Sequence, residues 1–249
     1  MAGHNKWSKI KRQKAVTDAR RSKVWARLTR DMMVAAKDGG GDPETNARLA
    51  LAVQKAKAEN MPKENIERAI KKGTGEIAGA DYEELTYEGY ALGGVAVFVE
   101  TLTDNSNRTV ADLRHLFSKH GAGLGNSGSV AFMFDRKAVF EIPVAGIEEE
   151  ALFLLVAEAG AEDLAADADT FTVTAPVGAF NDVSTALHGA GIVTEEASLQ
   201  RIPTTLTAVS PEIAPKVIKL LELVEELDDV QAVYSTLKLD DATLQALDV

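Results

Sequence analysis

KAVFEI at residues 137–142, followed by IEEEALFLLVAEA at 147–159, decides the fold. The first is a β-branched and aromatic run suited to a strand; the second is a long helix-forming run headed by three glutamates. From there the pattern continues as strand 161–167, strand 169–174, helix 178–189 and strand 191–199. Strand, helix, strand, strand, helix, strand is the order of a split βαβ, ferredoxin-like unit. Upstream, EELTYEGY (83–90) and VAVFVETL (95–102) read as strands joined through Gly93 and Gly94. A helix from about Ser106 carries Val110, Leu113, Leu116 and Phe117 on one side until Gly121, and VAFMF (130–134) reads as a further strand. Downstream, TTLTAVS (204–210) reads as a strand, Pro211 to about Leu227 as a helix and VQAVYSTL (230–237) as a strand. Neither flank holds a complete fold, so the ferredoxin-like unit is expected to be inserted into a discontinuous α+β domain.

The first third is helical. From about Thr17 to the triplet Gly39, Gly40, Gly41, helical spacing puts Val24, Leu28, Met32 and Ala35 on one stripe and Arg20, Lys23, Arg27 and Arg30 on another. Asp42 followed by Pro43 reads as an N-cap with proline at the first helical position. That opens a second helix with Leu49, Val53 and Ala56, ending near Asn60. Pro62 opens a third, with Ile66, Ala69 and Ile70, closed by Lys71, Lys72 and Gly73 as C-cap. The expected organisation is an α+β multidomain chain. Residues 1–77 form a basic arm and helical bundle, 78–135 plus 203–249 a discontinuous α+β domain, and 136–202 a ferredoxin-like domain. TGEIAGAD (74–81) is the linker.

Charge divides at the same linker. Residues 1–77 hold 18 Lys and Arg against 9 Asp and Glu, a net +9; residues 78–249 hold 9 against 29, a net −20, within an overall −11. A cationic segment on an anionic body points to a polyanion partner for the first and none for the second. There is no cysteine, which excludes disulfides and thiol catalysis and suits a reducing compartment. No apolar run reaches the roughly 20 residues of a membrane span, and no secretory signal follows the basic start, so a cytoplasmic location is expected.

No catalytic constellation emerges. The four histidines are His4, His115, His120 and His188, without metal-ligand spacing; there is no nucleophile elbow and no P-loop. GLGNSG (123–128) has the glycine spacing of a dinucleotide-binding turn, but a helix precedes it and VAFMF follows, the reverse of what that site requires. It reads as a glycine-rich connection, with a phosphate held on bare backbone N–H groups as the functional alternative. Arg108, Arg114, Lys119, Arg136 and Lys137 are five of the nine cations beyond residue 77, and they gather around this loop. With Asn126 and Ser127 they form a secondary candidate polyanion site. The main candidates are Lys6, Lys9, Lys11, Arg12 and Lys14 in the arm, Arg20, Lys23, Arg27 and Arg30 on the first helix, and Lys63, Arg68, Lys71 and Lys72 on the third. Trp7 is a candidate for stacking on a base; Trp25, beside the apolar stripe, is a core residue.

MAGHNKWSKIKRQK (1–14), NMPKENIERAIKKGTGE (60–76), GGVAVFVETLTDNSNRT (93–109), GNSGSVAFMFDRK (125–137) and LDDVQAVY (227–234) together resemble the YebC/PmpR family, which includes the mitochondrial translational activator of cytochrome oxidase subunit I. The resemblance covers essentially the whole chain; Ala122 and Ala138 stand where the family pattern favours glycine. It implies a helical first domain, a ferredoxin-like third domain inserted into the second, and a regulator of gene expression; the residues themselves lead us to expect no enzymatic activity, cofactor or metal. The implied partner is DNA, for a transcriptional regulator, or ribosomal RNA and the ribosome, for a translational activator; a basic protein partner would suit the acidic domains. A small-molecule-sensing role for the ferredoxin-like unit is a more remote reading.

Overall fold

The computed structural model describes residues 18–239, with residues 18–21 and Ala47 described at backbone level. Residues 132–205 form one compact unit and the other described residues a second.

In the second unit the chain begins with three helices, α1 (Asp18–Gly39), α2 (Ala47–Ala58) and α3 (Lys63–Gly73). Leu28, Met32, Ala35, Leu49, Val53, Ala56, Ile66 and Ala69 are buried together, so the apolar stripes expected from helical spacing are the ones that meet. Trp25 packs against this core and donates its indole N–H to the Glu59 carbonyl at 3.0 Å. Two caps differ from expectation. Asp42 organises a separate turn, accepting the Glu44 N–H at 3.0 Å. The N-cap of α2 is Asn46, which accepts the Leu49 N–H at 3.1 Å and donates its buried amide to the carbonyls of Ala35 and Gly40. One polar side chain thereby starts α2 and ties it to the end of α1. Gly73 is the last residue of α3, with Thr74 as C-cap, and Gly75 takes the left-handed conformation at φ +80°. A Cβ on Gly73 would stand 2.3 Å from the Met33 carbonyl oxygen, so glycine here permits close approach of α3 to α1.

The same unit holds strands β1 (Glu83–Tyr90), β2 (Ala96–Thr103), β3 (Gly123–Leu124) and, from beyond the other unit, the strand Val230–Ser235, which is β8 in chain order. They form an antiparallel sheet ordered β3-β1-β2-β8. Helix α4 (Ser106–Lys119) and the helix Ala214–Glu225, α7 in chain order, cover it. Leu113 and Phe117 of the one, and Val217, Leu220 and Val224 of the other, share a core with Val95, Val97, Val99 and Val233. The strand expected at 204–210 is a single bridge from Thr207 to Leu237.

Residues 132–205 contain β4 (Phe134–Pro143), α5 (Glu149–Glu158), β5 (Asp163–Ala166), β6 (Thr170–Pro176), α6 (Phe180–Gly189) and β7 (Glu196–Pro203). The antiparallel order β5-β6-β4-β7 is the ferredoxin-like arrangement. Two strands are displaced from their expected positions. VAFMF is a short 3-10 turn at Ala131–Met133, and β4 then runs unbroken from Phe134 through KAVFEI. The last strand begins at Glu196, five residues later than its apolar start at 191 suggests, in register with β4 from Glu141↔Glu196 to Phe134↔Pro203. Phe140, Ile142, Phe171 and Val173 meet Leu152, Val156, Val183 and Leu187 in the core.

Candidate nucleic-acid interface

The cationic side of α1 contacts the C-terminal end of α7. Lys23 Nζ donates to the Glu226 carbonyl at 2.9 Å, the Arg27 guanidinium to the Glu225 carbonyl and the Arg30 guanidinium to the Asp228 carbonyl. The last carbonyls of a helix lack intrahelical partners and carry the negative end of its dipole, so Lys23 and Arg27 suit that position electrostatically, while Arg30 meets the turn that follows α7. Burial, followed by repulsion from Arg30, lowers the Arg27 pKa, while Asp31 and Asp228 pull it the other way. These three residues, read from sequence as phosphate ligands, have an intramolecular role that spacing did not foretell.

Just beyond those carbonyls lies Asp229, 8% exposed. Its carboxylate accepts from Thr103 at 3.1 Å, Thr109 at 2.8 Å and the Arg108 guanidinium at 2.8 Å, and Arg108 also pairs with Asp104 at 2.8 Å. Burial pushes this carboxyl up, but the bonds from Arg108, Thr109 and Thr103 outweigh it and hold it below its ordinary value. Arg108 is thereby committed, and it lines a cleft of about 560 Å³ with Lys23, Arg30, Asp112 and Asp228.

Helix α3 differs. Lys63, Arg68 and Lys71 are exposed and Lys72 half-buried, while Ile66 and Ala69 face the core. Lys63 lies 3.6 Å from Glu67, an exposed i, i+4 pair of small worth. Exposed Lys57 on α2 adds to the cationic surface of the helical part.

The glycine-rich loop is organised from within. Buried Glu88 on β1 accepts the N–H groups of Gly128 at 2.7 Å, Val130 at 2.6 Å and Ala131 at 2.8 Å. Of the GLGNSG backbone donors considered for a phosphate, Gly128 is thus turned to an internal carboxylate and Gly125 to the Glu88 carbonyl at 2.8 Å. Gly89 permits the loop's short strand to pair with β1, since a Cβ there would stand 2.5 Å from the Gly123 oxygen.

The profile of the TACO1/YebC N-terminal domain matches residues 5–76, and that of the TACO1/YebC second and third domains matches residues 82–237. The chain belongs to the TACO1/YebC family. YebC-type relatives include a probable transcriptional regulatory protein of Chlorobium phaeobacteroides, 49% identical with all of both chains covered. Another, from Carboxydothermus hydrogenoformans, is 50% identical over 97% of this chain and 100% of its own. The crystal structure of a conserved hypothetical protein from Aquifex aeolicus superposes with a TM-score of 0.83 at 44% identity, covering 90% of this chain and 93% of that one.

In this YebC-family chain the expected site residues therefore part company. Lys6, Trp7, Lys9, Lys11, Arg12 and Lys14 lie outside the described residues, as does the side chain of Arg20. Lys23 and Arg27 meet the end of α7 and Arg30 the turn that follows; Lys63, Arg68, Lys71 and Lys72 stand on α3. The secondary set divides between the units. Arg114, Lys119, Asn126 and Ser127 are exposed in one, with Arg108 tied to Asp229. In the other, Arg136 is exposed and Lys137 pairs with Glu162 at 2.6 Å. Sequence reasoning missed Glu88, which is buried on the face of β1 opposite Tyr87 and left no signal in the pattern, and Asp229, one of several acids in a run. Among the described residues no group of His, Asp and Glu is arranged to hold a metal, and no helix is long and apolar enough to cross a membrane.

Proposed function

We propose that this chain is a non-enzymatic, cytoplasmic regulator of gene expression that binds nucleic acid, acting as a DNA-binding transcriptional regulator. Its working division is into residues 1–77, 78–135 with 203–249, and 136–202. The observation that carries the reading is the exposed cationic surface of α3, with Arg68 and Lys71 in solvent, set in a +9 segment of a chain whose remainder is −20. The names of the relatives from Chlorobium and Carboxydothermus support the regulatory level. Such cations neutralise phosphates and give affinity without reading bases. The arm cations, Arg20 and Trp7 extend the contact; Lys23, Arg27 and Arg30 hold α1 in place and contribute to the local potential. Arg114, Lys119 and Arg136 are secondary phosphate contacts.

The test is binding to a promoter-derived duplex, a random duplex and a ribosomal RNA fragment over a salt series. Arg68→Gln, Lys71→Gln and Lys72→Gln combined are expected to lower the slope of log affinity against log salt by roughly 2 to 3 on duplex DNA, at about 0.9 per lost phosphate contact. Tighter binding to the promoter duplex than to random DNA supports transcriptional control. Preference for ribosomal RNA moves the function to translation. Binding unaffected both by this variant and by removal of residues 1–17 overturns the reading.

A further inference from the structure

Two helices cover the sheet of the 132–205 unit, and their outer faces differ in kind. The exposed residues of α6 are Asn181, Asp182, Thr185, His188 and Gly189, with none of them large and apolar, as expected of a surface helix. Helix α5, EEALFLLVAE, is apolar for all seven residues from Ala151 to Val156 and Ala157. At 100° per residue, Leu152 and Val156 point into the core, each 1% exposed, which turns Leu154 and Ala157 outward with Phe153 beside them. Phe153 is 50% exposed and Leu154 58%. Large apolar side chains adjacent on one helix face mark an interaction surface.

Charge selects what covers it. Glu149 and Glu150 stand at one end of the apolar stripe and Glu158 at the other. From residue 138 to residue 200 the chain has twelve Asp and Glu and no Lys or Arg. A nucleic acid or an anionic lipid surface is repelled by this face, and two copies laid face to face would bring their own glutamates together. A cationic partner meets both features: apolar anchors against Phe153, Leu154 and Ala157, and flanking lysines or arginines against the glutamates.

We infer that the outer face of α5 docks a basic amphipathic segment of a partner protein, in the helix-on-helix mode in which apolar residues at i, i+3 and i+4 supply the anchors. This surface is separate from the cationic one on α3 and serves a different class of partner.

The probe is a lysine–leucine amphipathic peptide of about four helical turns. It is titrated by fluorescence anisotropy against the full chain, with a glutamine–leucine peptide and a lysine–serine peptide as controls for each half of the recognition. The lysine–leucine peptide is expected to bind at least about tenfold more tightly than either control, at 1.4 kcal/mol per tenfold. Leu154→Ser with Phe153→Ser is expected to erase that preference while thermal unfolding stays within a few degrees of the parent, because both side chains are largely in solvent. Glu149→Lys, Glu150→Lys and Glu158→Lys combined keep the apolar stripe and are expected to lose the peptide as well, a readout independent of the serine variant. Equal binding of all three peptides, or a preference that survives both variants, overturns the inference. So does concentration-dependent self-association that Leu154→Ser abolishes, since the occupant would then be a second copy. Tighter peptide binding on deletion of residues 1–17 also overturns it, by making the chain's own arm the occupant.

Discussion

Helices α1 and α3 belong to the same cationic third of the chain and carry the same residue types at helical spacing, yet their cations do different things. On α1, Lys23 and Arg27 reach the Glu226 and Glu225 carbonyls at the end of α7, and Arg30 reaches the Asp228 carbonyl in the turn that follows. On α3, Lys63, Arg68 and Lys71 stand in solvent and Lys72 is half-buried. A cation's role is set by what the fold brings opposite it; an unsatisfied helix end attracts it much as a phosphate does. Counting charge locates a basic segment but does not separate the part that holds the molecule together from the part available to a partner.

The corner at residues 225–229 should therefore be the most sensitive point. Asp229→Asn leaves Arg108 without its buried carboxylate and weakens two threonine contacts, and it is expected to cost about 3 kcal/mol in chemical denaturation. Because this carboxyl is held below its ordinary value, its contribution is present in full at neutral pH. It is lost as pH falls below the usual carboxylate range, so the gap between parent and variant should close in acid. A variant as stable as the parent at pH 7 would show that the corner anchors nothing.

Asp31 tests α1 from the opposite sign. Burial raises its carboxyl to about 6, against the pull of Lys55, Arg48 and Arg30. A folded value above the unfolded one of about 3.9 means that the folded state binds more protons between them, so stability is lost as pH rises through that window. Asp31→Asn is expected to gain about 1 to 2 kcal/mol at pH 7 and nothing near pH 4, read from denaturation midpoints across that range. Arg27→Met, which removes one donor to the end of α7 and keeps the aliphatic stem, is expected to cost about 1 kcal/mol. A loss of that size for Arg27 with none for Arg68 sustains the contrast between the helices; equal losses would erase it.

The ferredoxin-like order was legible because its strands and helices alternate period over a long stretch. The stripes of α1 to α3 were legible because helical spacing survives any packing partner. Other features depend on residues far apart in sequence. The Asp42–Pro43 cap was a sound local signal, but Asn46 won because its amide also reaches Ala35 and Gly40 across a turn that only the fold closes. Gly73 looked like a C-cap because lysines precede it, whereas its lack of a Cβ serves the approach to Met33. VAFMF has strand composition, yet its first residues are held by Glu88, forty-two positions before Val130. Within the candidate site the residue types were readable from sequence. Their opposite numbers, the carbonyls of 225–228, were not, since backbone acceptors leave no mark in composition.

The smallest expected effect on stability is the most telling for function. Gln at Arg68, Lys71 and Lys72 together should shift the unfolding free energy by no more than about 0.5 kcal/mol, because Arg68 and Lys71 are exposed, Gln keeps most of the half-buried Lys72 stem, and helix propensity is nearly conserved. Urea denaturation checks this on the same protein used for the salt series. If stability holds while the salt slope falls, α3 is a surface reserved for a polyanion and α1 a fastening made of the same residues. If stability falls by as much as it does for Arg27→Met, the α3 cations also belong to the interior balance of the helical part, and the difference between the helices is one of exposure rather than of role.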